Sequence, residues 1–163
     1  MNTGTKVVVG IAVALIVLGI TCVGGIFSLG LWMVNHVPEG IVLDFEYPDD
    51  VVVGDEFDVT MTIENLLDER RTLVDVDFYN SILDGVSITS IIPNPSVDDG
   101  AYVLGSRTIS FNRTIPAEGE IVLVFTMIAE EAGYFTGDVN LSIDGVLSIH
   151  TTSQTIVIDE SED

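Results

Sequence analysis

The longest uncharged stretch of the chain, Val7 to Val34, constrains its architecture more than any other sequence feature. Its 28 residues read VVVGIAVALIVLGITCVGGIFSLGLWMV and include no Asp, Glu, Lys, Arg or His. A helix of about 20 residues crosses the roughly 30 Å hydrocarbon core of a bilayer, and a longer helix fits by tilting. Trp32 suits a membrane–water interface, and Val37-Pro38 disfavours continuation of the helix. The stretch therefore predicts a transmembrane helix over residues 7–34.

The charges on either side of this stretch predict its orientation. Lys6 and the amino terminus supply the positive charge before it, whereas all 26 acidic residues follow it, starting at Glu39. The positive-inside rule then places the amino terminus in the cytoplasm. We therefore expect a single-pass plasma-membrane protein, with a cytoplasmic stub at 1–6, a helix in the lipid bilayer at 7–34, a linker at 35–40 and an extracytoplasmic carboxyl-terminal domain.

Three other interpretations of the apolar stretch stay open. A cleaved signal peptide has an apolar region of about 7–15 residues before a small-x-small site, and this stretch is about twice that length. A lipoprotein signal would place Cys22 after a Leu-small-small triplet, but Gly19, Ile20 and Thr21 precede it. A pilin-type signal joins a short basic leader to an apolar helix, and such a helix would assemble into a filament.

Small residues recur four positions apart within the stretch. Such pairs allow two helix backbones to approach closely. The candidate packing residues are Gly10 with Ala14, Thr21 with Gly25, and Gly24 with Ser28. The alternative interpretation is that glycine is simply common in membrane helices.

Composition excludes several functional classes. The chain has 5 Lys and Arg against 26 Asp and Glu, a formal net charge of -21. Nucleic-acid binding needs a basic surface that so few cations cannot make. The single cysteine excludes a disulfide scaffold. The acidic excess keeps a domain soluble, repels anionic membranes, and favours a cationic partner or a salt-rich habitat.

Beyond Gly40 the apolar residues recur every second position, which is typical of strands with one buried face. In Thr72–Asn80, for example, Val74, Val76 and Phe78 are expected to face inward and Asp75, Asp77 and Tyr79 outward. Turn signals such as Asp84-Gly85 separate these segments. The predicted strands are 41–47, 56–65, 72–80, 86–92, 107–115, 120–128, 134–144 and 147–158.

Seven or eight short strands over about 120 residues predict a mainly β fold, an antiparallel immunoglobulin-like β-sandwich. We expect this domain to occupy residues 41–158. The acidic segment 159–163 that follows it is expected to be a disordered tail.

One predicted strand, Glu120–Ile128, is apolar on both faces. Ile121, Leu123, Phe125 and Met127 can fill the core, and then Val122, Val124 and Ile128 point the other way. These three residues are a candidate stripe for docking a partner. The alternative is a centre strand whose second face is covered by a loop.

Three segments resemble a known family. Val53–Asn65, VGDEFDVTMTIEN, resembles the second-strand pattern of bacterial and archaeal CARDB/DUF11-type immunoglobulin-like domains, V-G-D-x-φ-x-V-x-φ-x-V-x-N with φ apolar. Ile115–Thr126 is similar to their later Pro/Gly-Glu turn and strand, and Ala129–Val139 to the strand after it. The resemblance covers about 100 residues, from Val51 to Ile143. It implies a surface-exposed module used for adhesion, spacing or protein contact. Such modules often occur in tandem, whereas this chain carries one.

Candidate catalytic groups do not converge in the sequence. His36 lies at the predicted membrane boundary, His150 lies on the last strand, and Cys22 lies within the apolar stretch. The chain has no G-x-S-x-G, no Gly-rich phosphate loop and no H-E-x-x-H. We therefore expect no enzymatic activity, no cofactor and no small-molecule ligand.

Loop acids and two sequons remain as candidate sites. Ca²⁺ takes six to eight oxygen ligands, and Asp49-Asp50 with Asp55-Glu56, or Asp98-Asp99, offers some. The chain has no D-x-D-x-D-G loop, and loop acids in so acidic a chain are usually solvated. The sequons at Asn112 and Asn140 are candidate glycosylation sites.

Taken as a whole, the sequence favours a membrane-anchored extracytoplasmic binding or spacer module that contacts another surface or membrane protein. The alternative is an accessory subunit of a membrane complex or pilin-like filament, assembled through the apolar helix.

Overall fold

A computed structural model of the protein describes residues 38–160 apart from 99, 101, 104 and 146–148; for 80, 102, 103, 149 and 150 it describes the backbone alone. The predicted membrane helix at 7–34, its six candidate packing residues, the predicted stub, residues 35–37 of the linker and residues 161–163 of the tail lie outside this range. Among the described residues, no helix has the length and apolar character needed to cross a bilayer.

Nine strands and one short helix fill the described range, and eight of the strands correspond to predicted ones. The short strand β5 and the helix α1 have no counterpart among the predictions, because two and four residues are too few to show a period. The elements are β1 Ile41–Glu46, β2 Glu56–Asn65, β3 Arg71–Tyr79, α1 Asn80–Leu83, β4 Val86–Ile92, β5 Tyr102–Val103, β6 Ser106–Ile115, β7 Gly119–Ala129, β8 Gly133–Ile143 and β9 Ile149–Ile158.

The strands form two antiparallel sheets. Sheet A has the order β1-β2-β7-β4, and sheet B has the order β5-β6-β3-β8-β9. This confirms the prediction of a mainly β, immunoglobulin-like sandwich. Sheet A follows the A-B-E-D order of immunoglobulin domains, and β3-β8-β9 follows C-F-G. One difference is that β4 precedes β5 and β6 in the chain, so the polypeptide crosses to sheet A and returns before sheet B is complete.

The core lies between the sheets and centres on Phe125 of β7. Its ring centroid lies 5.0 Å from that of Phe78, at an interplanar angle of 77°. Phe111 approaches it edge-on at 6.5 Å. Edge-to-face arrangements of this kind stabilise aromatic pairs beyond their burial alone. Three strands from both sheets are thereby fixed to one another.

The alternation predicted for β3 is wrong at one position. A β-bulge between Leu73 and Asp75 interrupts the pairing of β3 with both neighbours. Leu73 is therefore buried, and Val74, which was expected to face inward, is only partly buried. Bulges add one residue to a strand and shift the side on which the following residues lie. After the bulge, Val76 and Phe78 face the core as predicted.

The motif at Val53–Asn65 has a structural role at both ends. At its start Gly54 has a φ of 95°, a region that glycine adopts without strain. At its end Asn65 is fully buried. Its Nδ2 donates to the carbonyl oxygens of Glu69 and Pro116, both at 2.8 Å, and its Oδ1 accepts from the backbone N–H of Leu67 at 3.2 Å. Asn65 thus ties the β2–β3 turn to the β6–β7 turn.

The helix α1 packs directly on strand β8. Gly137 allows this approach, because an added Cβ there would lie 2.6 Å from Ser81 Oγ and 2.8 Å from the backbone nitrogen of Ile82. Ile82 and Leu83 of the helix are buried in the core. The helix therefore closes one end of the sandwich.

Candidate functional site

Strand β7 is apolar on both sides, and one side faces the core while the other faces the protein surface. It lies between β2 and β4 in sheet A. Leu123, Phe125 and Met127 point into the core and are buried. On the other side Val122 is 42% exposed, and Val124 and Ile128 are partly buried. The strand is central, but no loop of the described residues covers Val122.

Register extends this apolar side onto β4. Val124 lies opposite Ile92 of β4 and opposite Thr60 of β2, and Val122 lies opposite Thr62. Ile92 is 60% exposed. We call Ile92, Val122 and Val124 the apolar centre of the sheet A outer face. Ile128 lies further along β7, beyond Thr126, so it is not part of this centre.

Acidic side chains lie beside the apolar centre on its β1 and β2 side and beyond both of its ends along the strands. All are exposed, and they come from β1, β2 and β7. Strands β1, β2, β4 and β7 contain no Lys or Arg. The ion pairs of the described residues join Arg71 to Glu69 and Asp144, and Arg107 to Asp98, so they involve none of these acids. The acidic rim consists of Asp44, Glu46, Glu56, Asp58, Glu64 and Glu120.

Ile92 and the rim could not be identified from strand patterns alone. Ile92 ends a strand in which a bulge between Ile88 and Ser90 breaks the alternation. The acids were recognised only as outward positions of separate strands. Which outward residues of different strands lie side by side depends on sheet order and register, which sequence periodicity does not specify.

The outer face of sheet B differs in chemistry. Its polar side chains hydrogen-bond to one another across strands. The Thr108 hydroxyl donates to Asp77, Asn140 Nδ2 donates to Tyr79 Oη at 3.3 Å, and the hydroxyls of Thr136 and Thr155 lie 2.8 Å apart. Among the described side chains of this face, the exposed large apolar ones are Tyr79 and Tyr134.

The cavities of the described residues offer no ready ligand site. An apolar cavity between the sheets, beside Phe45 and Gln154, has a volume of about 10 Å³, which is the minimum for a single water. An open groove of about 520 Å³ lies between β4 and Arg107. Its two charged residues bind each other: Arg107 donates to both oxygens of Asp98, at 3.2 and 2.7 Å.

The loop acids proposed for Ca²⁺ are not arranged as a site. Within the described residues, no group of three or more His, Cys, Asp and Glu is placed to hold a metal ion. Burial would raise the pKa of Asp98, but hydrogen bonds from Arg107 and the Gly100 N–H, with the Arg107 charge, lower it below the ordinary value. Asp55 accepts from the Val52 N–H at 3.1 Å. Asp99 lies outside the described residues.

Of the remaining candidate residues, the structure describes the side chains of Asn112 and Asn140, which lie on different strands, β6 and β8. Asn112 is exposed, has a φ of 50° and donates to Ser96 Oγ at 3.2 Å, whereas Asn140 is partly buried and donates to Tyr79 Oη. His36 and Cys22 lie outside the described residues, and the side chain of His150 is not described.

Comparisons with known proteins give structural likenesses only. No family model matches the chain, and no curated protein sequence matches it. The cohesin module of a family 33 glycoside hydrolase from Clostridium perfringens superposes with a TM-score of 0.48 and 15% identity, covering 74% of this chain and 98% of the module. The cupredoxin domain of amoB from Nitrosocaldus yellowstonii superposes with a TM-score of 0.47 and 15% identity, covering 78% of this chain and 92% of that domain.

Proposed function

We propose that the protein is a membrane-anchored extracytoplasmic module that binds another surface or membrane protein through the sheet A outer face, and that it has no catalytic role. The observation that carries the proposal is the uncovered apolar centre. Val122 and Ile92 are 42% and 60% exposed and lie diagonally across the adjacent strands β7 and β4. Exposed apolar clusters with a polar border are typical of interaction sites.

Two sequence features support the location and the type of module. The uncharged stretch 7–34 with Lys6 before it favours a single-pass anchor with the sandwich outside the cytoplasm. The resemblance of Val53–Asn65 to CARDB/DUF11-type domains favours a contact or spacer module. The proposal includes no catalytic step, and within the described residues no group of three or more His, Cys, Asp and Glu is placed to hold a metal ion.

Contact through the sheet A outer face can be tested by crosslinking the full chain. Cys22→Ser removes the native thiol, and Val122→Cys then carries a benzophenone maleimide. The labelled chain is reconstituted in native membranes and irradiated. We expect a protein adduct from position 122. A matched chain labelled at Ser153→Cys, an exposed position of β9 in sheet B, should give little or none.

The proposed location has a separate test with the Ser153→Cys chain. A membrane-impermeant maleimide added to intact cells should label it, because the sandwich is expected outside the cytoplasm. Labelling only after permeabilisation would contradict the proposed orientation. Absence of any protein adduct from position 122 would contradict the proposed contact itself.

A further inference from the structure

The arrangement of charge around the apolar centre specifies what kind of protein can bind there. The six rim acids, Asp44, Glu46, Glu56, Asp58, Glu64 and Glu120, are all exposed and carry no ion pair among the described residues. We propose that the sheet A outer face binds a protein whose contact surface has an apolar centre bordered by Lys and Arg. This inference rests on the function proposed above and adds the chemistry of the partner.

Register places the acids on the β1 side of the apolar centre and towards both of its ends along the strands, whereas β4, on the other side, carries none. Asp44 pairs with Thr62, which pairs with Val122; Glu46 pairs with Thr60, which pairs with Val124. Towards one end of β7, Glu64 lies opposite Glu120. A partner that covers the apolar centre must therefore bring its own border within a few ångströms of several carboxylates.

The unpaired negative charge of the acidic rim favours some partner proteins over others. Charges that meet across an interface steer association and exclude partners of the wrong sign, and like charges placed together cost several kcal/mol. Nearby Lys or Arg on the rim would relieve this repulsion, but β1, β2, β4 and β7 carry none. An acidic or neutral partner surface would leave the carboxylates unpaired as water is excluded, whereas a basic one would pair them.

The same charge argues against two other occupants. A second copy of the chain, packed through the same face, would place one set of six carboxylates against another. An anionic lipid surface would be repelled for the same reason. Charge complementarity therefore favours a basic protein surface over both.

The exposure of the rim makes the proposed contact sensitive to salt. All six rim acids are exposed, and salt screens interactions between charges that face solvent. We therefore expect association that weakens markedly with salt, because much of its strength comes from exposed charge pairs.

The test uses charge reversal in the crosslinking assay with the label at position 122. Asp44→Lys with Glu46→Lys reverses part of the rim. Glu131→Lys with Asp138→Lys makes the same change in net charge at exposed positions that are not part of the acidic rim. We expect the rim variant to lower the adduct yield by about tenfold and the control variant to leave it within about twofold. Circular dichroism of both variants checks that each chain folds.

The identity of the adduct and its salt dependence complete the test. The partner peptide crosslinked to position 122 should contain more Lys and Arg than Asp and Glu, and the yield should fall between low and high salt. An undiminished yield from the rim variant, with adducts still forming, would overturn the basic-partner inference and leave the proposed function standing. An adduct of twice the chain's mass, or one with lipid alone, would also overturn it. No adduct in any sample would overturn both.

Discussion

Some buried polar side chains hold the turns of the sandwich together by hydrogen bonds to backbone groups. Asn65 is the clearest, because it is fully buried and makes three bonds to backbone groups of two different turns. The sequence motif V-G-D…N predicted a strand here. Its final Asn had no assigned role, because the carbonyl of Pro116, 51 residues away, becomes its partner only in the folded sandwich.

Substitution Asn65→Ala is predicted to destabilise the domain by about 2–4 kcal/mol. It leaves the carbonyls of Glu69 and Pro116 and the N–H of Leu67 without their part-buried hydrogen bonds, and an unsatisfied group costs up to about 1–3 kcal/mol when its burial is complete. Chemical denaturation of the full chain in detergent, monitored by far-UV circular dichroism, measures the change in the free energy of unfolding. Asn112→Gly, which removes one exposed hydrogen bond at a position whose φ of 50° glycine adopts freely, should change stability by less than about 0.5 kcal/mol.

Asp75, in contrast to Asn65, is a buried polar residue whose hydrogen-bonding capacity is only partly used. It was predicted to face outward, and it does, but it is only 8% exposed and its Oδ1 has no hydrogen-bond partner. Burial raises its pKa above the ordinary value of 3.8, Asp77 raises it further, and a hydrogen bond from Ser142 lowers it in part. The ionised carboxylate is therefore disfavoured in the folded state.

Substitution Asp75→Asn is predicted to raise the melting temperature at neutral pH by a few degrees, because the amide removes the buried charge. Since the folded pKa lies above the unfolded value, the wild-type chain loses stability as pH rises from 3.8 through the folded pKa. The advantage of Asp75→Asn should thus shrink as pH falls towards 3.8. Thermal melts of both chains across pH 3.5–7.5 measure it; an advantage that is independent of pH would contradict the assigned cause.

Strand periodicity predicted eight of the strands, but it did not predict the bulges or which residues of neighbouring strands lie side by side. The bounds of β2 and β4 match the predicted strands 56–65 and 86–92, because turn residues such as Gly54-Asp55 and Asp84-Gly85 mark where these segments begin. The bulges in β3 and β4 were not predicted, because an extra residue leaves a local sequence pattern that resembles ordinary alternation. Val122 and Val124 could be identified from the pattern of β7 alone. Ile92 could be added to them only from the pairing of β4 with β7.

The contact between α1 and β8 gives a prediction for an element that sequence periodicity missed. Gly137→Ala should destabilise the domain by about 1–3 kcal/mol, since the new Cβ would lie 2.8 Å from the backbone nitrogen of Ile82 and the helix would have to shift. Asp138→Ala, the exposed neighbour on the same strand, serves as the control and should be nearly neutral. Equal stability of the two variants in chemical denaturation would show that α1 moves away without cost.

In the sandwich, the residues that stabilise the fold and the residues proposed to bind a partner lie on different faces of the sheets. Phe78, Phe111 and Phe125 hold the sheets together on their inner faces, while the apolar centre and acidic rim lie on the outer face of sheet A. Net charge alone was compatible with a cationic partner or with a salt-rich habitat. The folded sheet places six of the acids on one face, beside exposed valine and isoleucine.

The most direct test of this account is Val124→Asp in the full chain, with stability and adduct formation from position 122 measured on the same preparation. We predict that the variant keeps its cooperative thermal transition within a few degrees of the wild-type chain while the adduct is lost. An isosteric control, Val124→Thr, should retain most of both. Global unfolding of Val124→Asp, or full retention of the adduct in a folded variant, would contradict the claim that this face serves recognition.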